Sequence, residues 1–353
     1  MIIITISQTS RLSIIAAGRH YGSCFLLKAL FKNLKGGQKK SRTKRRLLPQ
    51  QGADRKLTDT SKDQRRPTIK VNSAEKLWHM TNSKPQHSNK VDPASETIVA
   101  EIWTCIQREA QREAASEPIL ASHLHATVLS HVNLADALAY HLSNLLGSAT
   151  ASALSLMDVI SDAYAAQPDL VLDAAVDVAA IRDRDSACSE CGTPFLYYKG
   201  FHALQTHRIG HYLWGNGRQE LALFLQSRMS SCFSVDIHPA AKIGRGLMLD
   251  HANGIVIGET CEIGDNVSIM QSVTLGGTGK MSGDRHPKVA SGVLIGAGSK
   301  VLGNINIGEG SQISAGSVVL KDVPEHTTVA GVPAQVVGRP EESMPSFSMD
   351  HRL

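Results

Sequence analysis

The sequence predicts an α+β chain: an all-α half followed by a parallel β-helix, behind a disordered N-terminal extension. Three observations carry this. After Val235 an aliphatic residue returns every six positions, between about Pro93 and Ser234 apolar residues return at helical spacing, and before about Asn89 there are turn formers and charge with little apolar period. The boundaries expected are 1–92 for the extension, 93–234 for the helices, 235–338 for the β-helix and 339–353 for a short tail. At 353 residues the chain is long enough for two domains, and its low aromatic share (5%) suits a core built from Ile, Val, Leu and Ala.

The extension carries the chain's basicity. No Asp or Glu precedes Asp54, so the formal charge of +5 belongs to a tail rather than to a folded face. Lys39, Lys40, Arg42, Lys44, Arg45 and Arg46 form a basic run, but no aromatics are interleaved with it as single-strand binding requires, so no nucleic-acid partner is expected. Apolar and hydroxylated residues with scattered Arg and Lys compose an organelle transit peptide, plastid or mitochondrial, with a cytoplasmic chain as the alternative. The apolar run Met1–Ile6 is too short to span a membrane and lacks a basic start, so neither secretion nor insertion is expected.

In the helical half, Ile98, Ile102 and Ile106 share one face, Pro118 suits a helix's first turn, Asn133 can cap the next helix and Gly147 can end it. Val171, Ala174, Ala175, Val178 and Ile181 make a further stripe. After Pro194, two helices flank Gly215-Asn216-Gly217.

In the β-helical half, Ile257, Ile263, Ile269 and Leu275 hold one register, and Val289, Ile295, Val301, Ile307, Ile313 and Val319 hold a second. Three hexads make a triangular turn whose aliphatic columns fill the interior. The register breaks twice. Leu249 to Ile257 is a step of eight, beside Asp250, His251 and Asn253; Leu275 to Val289 is a step of fourteen, with Arg285 and His286 in the inserted loop. Titratable residues concentrated at interruptions point to chemistry there. Acyl transfer to a hydroxyl needs a base near neutrality, and histidine, with an unperturbed pKa of about 6.5, supplies one. His251 is the candidate base. Its orienting carboxylate is either Asp236, fifteen residues earlier and close to one coil away, or its neighbour Asp250. The Arg285/His286 pair suits a carboxylate ligand. Gly276-Gly277-Thr278-Gly279 exposes backbone N–H groups but lacks P-loop spacing.

Six cysteines (Cys24, Cys105, Cys188, Cys191, Cys232, Cys261) follow no disulfide framework, which implies a reduced compartment. Cys188 and Cys191 form a lone C-x-x-C without a second ligand pair in sequence, so no metal is expected.

Taken together, D-I-H-P-A-A-K-I-G-R-G from Asp236, L-D-H from Leu249, V-T-L-G-G-T-G-K from Val273, G-D-R-H-P-K from Gly283, I-R-D-R-D from Ile181 and Y-K-G-F-H-A-L-Q from Tyr198 resemble serine O-acetyltransferase over roughly residues 96–340. The resemblance implies a left-handed parallel β-helix. It implies acetyl transfer from acetyl-CoA, a co-substrate rather than a permanent cofactor, to the hydroxyl of L-serine, feeding cysteine synthesis. By position, His251 is then the base and Asp236 its partner; Asp185, Asp250, Arg285 and His286 hold the substrate and in many members the inhibitor cysteine. Gly277, Ala297 and Ala315 line the CoA groove between neighbouring subunits. Trimers, paired through the helical domains, are the implied assembly. Two departures stand out. Ser186 replaces the usual Pro, and the chain stops at Met349-Asp350-His351-Arg352-Leu353 instead of a longer tail ending in Ile, so a weak or absent complex with O-acetylserine sulfhydrylase is expected.

Rival readings are an acetyltransferase of another acceptor, a zinc hydratase of the γ-carbonic anhydrase kind, and a regulatory member with little catalysis. The helical half argues against the first, the lack of a third suitably placed histidine against the second, and the presence of His251 and Asp236 against the third.

Overall fold

The computed structural model describes residues 93–279 and 282–352, together with a two-residue antiparallel pairing of Ile2–Ile3 with Ile15–Ala16. The expected disordered extension, the basic run within it and Cys24 lie outside the described residues.

The helical part opens with α1 (Pro93–Ser116), whose Ile98, Ile102 and Ile106 are all buried. Pro118 starts a 3₁₀ turn that leads through α2 (Ala121–Leu124) into a single π-turn, His125–Leu129. Asn133 caps α3 (Leu134–Leu146) by accepting the Asp136 N–H at 2.9 Å and donating to the Asp136 carboxylate, satisfying one of the unpaired first-turn donors. Gly147 ends that helix without a left-handed turn, its N–H closing on the Ser143 carbonyl at 2.9 Å. Ser152 caps α4 (Ala153–Ala166), a helix the sequence reading did not single out. The stripe Val171, Ala174, Ala175, Val178, Ile181 is the buried face of α5 (Asp169–Arg184). A short α6 (Gly192–Tyr197) precedes α7 (Lys199–Gly215) and α8 (Gln219–Phe233), which turn around Gly215-Asn216-Gly217 as expected.

The coils begin at β1 (Val235–Ile237), followed by β2 (Lys242–Ile243), β3 (Met248–Leu249), β4 (Ile255–Ile257), β5 (Glu262–Ile263), β6 (Ser268–Ile269) and β7 (Thr274–Gly276). Beyond the inserted loop come β8 (Lys288–Val289), β9 (Leu294–Ile295), β10 (Lys300–Leu302), β11 (Asn306–Ile307), β12 (Gln312–Ile313) and β13 (Val318–Val319). Then β14 (Thr328–Gly331) and an antiparallel β15 (Ala334–Gly338) close the stack. They form three sheets, ordered β11-β8-β5-β2, β15-β14-β12-β9-β6-β3 and β13-β10-β7-β4-β1.

Register explains the two sequence breaks. An undisturbed coil advances eighteen residues, as from Lys288 to Asn306 or Ile295 to Ile313. The first coil advances twenty (Val235 to Ile255), because of the extra pair near His251; the coil with the loop advances twenty-six (Leu275 to Val301). All ten aliphatic column residues are buried, and each contributes about 1.5–3 kcal/mol of transfer free energy.

A buried ionic clamp joins the two parts. Asp177 of α5 accepts from Arg208 Nη2 at 2.8 Å, Arg208 Nε at 3.2 Å and Gln205 Nε2 at 2.9 Å, all from α7, while its Oδ1 accepts the Leu247 N–H of the first coil. Arg208 Nη2 also donates to the Gly244 carbonyl at 2.8 Å. At the C-terminus of α5, buried Arg184 reaches Ser268 Oγ and Asn266 Oδ1 and stacks over Phe347, 4.7 Å from its ring centre. Phe347 lies on α9 (Pro345–Ser348), so the tail segment packs against the coils near α5. No described helix is long and apolar enough to cross a membrane.

Candidate active site

His251 and Ala252, in the extra pair, both adopt left-handed backbone angles, with φ of 52° and 58°. Such residues cost about 1–3 kcal/mol each and persist only where the surroundings enforce them. Here Ala252 is buried and its N–H is held by the Asp250 carbonyl, Gly254 N–H by the Ser234 carbonyl, and Ser272 N–H by the Asn253 carbonyl. Lys199 on the first turn of α7 donates to the Asn253 side chain. The turn is thus pinned from below and from the helical part, and the His251 ring projects outward with its side chain 71% exposed.

Two carboxylates stand beside it. Asp250 Oδ1 lies 3.8 Å from His251 Nε2, and burial raises the Asp250 pKa, with His251 pulling it down and Asp185 pushing it up. Asp185, at the C-cap of α5, accepts the Ala187 N–H at 2.8 Å and the Tyr198 hydroxyl at 3.0 Å. Arg184, held on the second coil by Ser268 and Asn266, fixes where the next residue emerges, near enough for Asp185 to act on the Asp250 carboxyl.

Arg285 and His286 lie at a different corner. Thr260 Oγ1 accepts both of their backbone N–H groups, at 3.1 and 3.2 Å, and the Thr260 N–H donates to His286 Nδ1 at 3.1 Å. An accepting Nδ1 leaves the neutral ring's proton on Nε2. That edge rests over Gly258, where a Cβ would come within 2.2 Å of the ring, so only glycine fits beneath it. Burial, then Arg285, lowers the His286 pKa. The Arg285 guanidinium pairs with Glu259 at 2.6 Å and holds that carboxyl below its usual range.

The site residues therefore divide between two edges of the triangular prism. Asp250 and His251 turn the corner from β3 into β4; one and two coils on, the same corner carries Gln271 and Ala297, and then Ala315. It is tied together by Ser272 N–H to Asn253 O, Gly298 N–H to Gln271 O and Gly316 N–H to Ala297 O. Arg285, His286, Glu259 and Gly277 follow β4 and β7 at the far edge of the five-stranded sheet, with His238 after β1. Ala297 and Ala315 thus share a corner with His251, and Gly277 does not. Among the described residues no hydrogen bond or ion pair joins the two groups.

The expected Asp236–His251 pairing is not formed. Asp236 aligns with Val256, five residues past His251, because an ordinary coil advances eighteen residues rather than fifteen and the first coil advances two more, and its Oδ1 accepts from Gln226 at 2.7 Å. Asp250 is the carboxylate next to the ring. Tyr198 and Thr260 were missed as positioning groups; Tyr198 lies within the Y-K-G-F stretch already singled out, whereas nothing about Thr260 in sequence marks it.

Helices packed on a β-helix, with a histidine projecting from a corner that further on carries Ala297 and Ala315, make this a hexapeptide-repeat protein with a titratable group at its coil edge. The family model of the serine acetyltransferase N-terminal domain matches residues 102–206. The serine acetyltransferase of Salmonella typhimurium is 59% identical over 252 residues, 71% of this chain and 92% of its own. Among solved structures, soybean serine acetyltransferase complexed with serine is similar at 52% identity and a TM-score of 0.67, covering 68% of this chain and 99% of that one. A serine acetyltransferase complex with CoA is 53% identical with a TM-score of 0.66, covering 68% and 100%. The chain belongs to the serine acetyltransferase family.

Proposed function

We propose that the chain transfers the acetyl group of acetyl-CoA to the hydroxyl of L-serine, giving O-acetyl-L-serine for cysteine synthesis, by direct attack with His251 as general base. Acetyl-CoA is a co-substrate, consistent with the CoA-bound relative. The observation that carries the reading is His251, fixed at a strained turn beside Asp250 and on the corner that further on carries Ala297 and Ala315.

Serine Oγ loses its proton to the His251 ring as the Oγ–acyl bond forms, the C–S bond breaks, and the imidazolium returns the proton to the CoA thiolate. Asp185 and Asp250, two neighbouring carboxylates, suit the substrate ammonium. Arg285 and His286, with its Nε2 proton, suit the carboxylate. Because these pairs occupy different corners, the reading requires one chain's His251 edge to meet the other edge of a neighbour, as self-association into a trimer or dimer of trimers would provide. Ala297 and Ala315, with Gly277 at the neighbouring edge, leave room for the extended CoA arm. Asp236, outward on β1, and Asp250 remain the two candidates to orient the ring; the orienting one is that whose Asn variant lowers kcat with little change in KM. The acid-free basic extension supports a plastid or mitochondrial address, which a reporter fused to the first ninety residues tests.

The deciding experiment is CoA release from acetyl-CoA with L-serine, with sugars and other amino acids as control acceptors. Serine-dependent release should fall by about 10²–10⁴ in His251→Ala. Near-normal turnover in that variant would remove His251 as base, and release with another acceptor only would remove serine.

A further inference from the structure

One cysteine of the lone C-x-x-C, Cys191, meets two further donors supplied by folding rather than by sequence. Cys105 and Glu109 lie one helical turn apart on α1, and packing of α1 against the N-terminus of α6 brings Cys191 to them. The two Sγ atoms and a Glu109 carboxylate oxygen lie within 4.8 Å of one another, and all three residues are buried. Cys105 Sγ donates to Glu109 Oε1 at 3.2 Å, and Glu109 Oε2 accepts the Gly192 N–H at 2.7 Å, which fixes the carboxylate as an outer-shell partner fixes a ligand.

We propose that Cys105, Glu109 and Cys191 form a binding site for a soft divalent metal ion of the zinc class, a clip between α1 and the segment that carries Asp185. Two thiolates and one carboxylate are a donor set that such ions favour, and ligand atoms around a tetrahedral ion stand roughly 3.3–3.8 Å apart given bonds of about 2.0–2.3 Å, so no pair in the cluster needs to close by more than about 1.5 Å. Charge fits as well. With both thiols ionised, Cys105, Cys191, Glu109 and Asp183 face Arg108, whose Nη2 is 3.6 Å from Cys105 Sγ, and Arg182, whose Nη1 is 3.5 Å from Cys191 Sγ. The excess of two negative charges is what a divalent ion balances. On binding, each thiol releases its proton to solvent, two S–metal bonds and one O–metal bond form, and the ion takes the place of the proton shared by Cys105 and Glu109. The fourth position falls to water or to Cys188, whose thiol donates to the Glu190 carbonyl at 3.3 Å without metal.

The test is a cobalt(II) titration of the chelator-treated, reduced full chain, read by absorption. One equivalent should bind with the sulfur-to-metal charge-transfer band of thiolate ligation, and zinc(II) should displace it. Cys105→Ser and Cys191→Ser should abolish the band, Glu109→Gln should weaken binding at least tenfold, and Cys232→Ser, an exposed thiol on α8, should leave it unchanged. If Cys188 holds the fourth position, Cys188→Ser should keep the band of the two remaining thiolates at lower intensity; an unchanged band assigns that position to water. If a serine variant does not fold, the unmutated chain still decides. No charge-transfer band there overturns the site, as does a band that survives both Cys105→Ser and Cys191→Ser. Two thiols lost without reductant and recovered with it would show a disulfide instead, and would equally overturn the proposal.

Discussion

Gly200, the second residue of α7, lies so close to the first coil that a Cβ there would stand 2.1 Å from the Leu249 carbonyl oxygen. Ordinary contact begins near 3.4 Å, so Gly200→Ala forces the start of α7 back by more than 1 Å, and the obstacle is backbone that cannot swing aside. Two effects compete. Alanine is favoured over glycine within a helix by about 1 kcal/mol, whereas forcing an extra methyl into packed structure costs about 1–3 kcal/mol or more, and the Lys199–Asn253 contact is lost besides. The clash wins, for a net destabilisation of about 1–2 kcal/mol and a Tm lowered by about 2–8 °C. Gly215, at the other end of the same helix, has no atom within 4 Å of its virtual Cβ and no positive φ, so Gly215→Ala should raise Tm by a few degrees. Thermal unfolding of both variants at one protein concentration, with KM for serine alongside, makes the comparison. Gly200→Ala should also raise KM, because Leu249 leads directly into Asp250. If both variants shift Tm upward alike, the close approach of α7 to the first coil is wrong.

Asp250 holds its proton more tightly folded than unfolded, so its ionisation disfavours the fold as pH rises from the ordinary carboxylate range through its raised pKa. Asp250→Asn should therefore be more stable than the parent near neutrality, with the gain vanishing below pH 3.8, while serine turnover falls; denaturant midpoints across pH check this. Burial lowers the pKa of His141 to about 3 and of His202 to about 4, so both are neutral in the fold. Their contribution should be intact above pH 6.5 and decline from there towards pH 3 as the unfolded chain takes up protons first, and His141→Phe should flatten that decline in acid titrations followed by circular dichroism. Mixing His251→Ala chains with Arg285→Ala chains, each inactive alone, should restore part of the activity after co-refolding if neighbours complete each other's sites; no recovery in proven mixed oligomers argues against shared sites.

What the sequence revealed was whatever is periodic. The column Ile257 to Val319 was legible because a coil repeats the same environment every six residues, and the extra pair at His251 was legible because it broke that repeat. Asn133 and the stripe of α5 were readable as local chemistry. The α4 helix was passed over, and so were contacts that join distant residues: Arg184 reaching Asn266, Thr260 holding both Arg285 and His286, and Cys105 meeting Cys191. Asp236 shows the limit well. Counting residues put it about one coil from His251, but a coil is eighteen residues rather than fifteen and the insertion adds two, so Asp236 falls beside Val256 instead.

The eighteen-residue coil also bears on how the chain reaches this fold. Parallel sheets ordinarily demand pairing between segments far apart in sequence, and contacts of that kind slow folding. Here nearly every strand finds its partner after eighteen to twenty-six residues, so the search is short and each finished coil presents a ready template for the next. Growth of that sort needs a seed and a stop. The buried Asp177–Arg208 clamp holds the first coil against the helices, and β15, turning back antiparallel onto β14, ends the run of parallel coils.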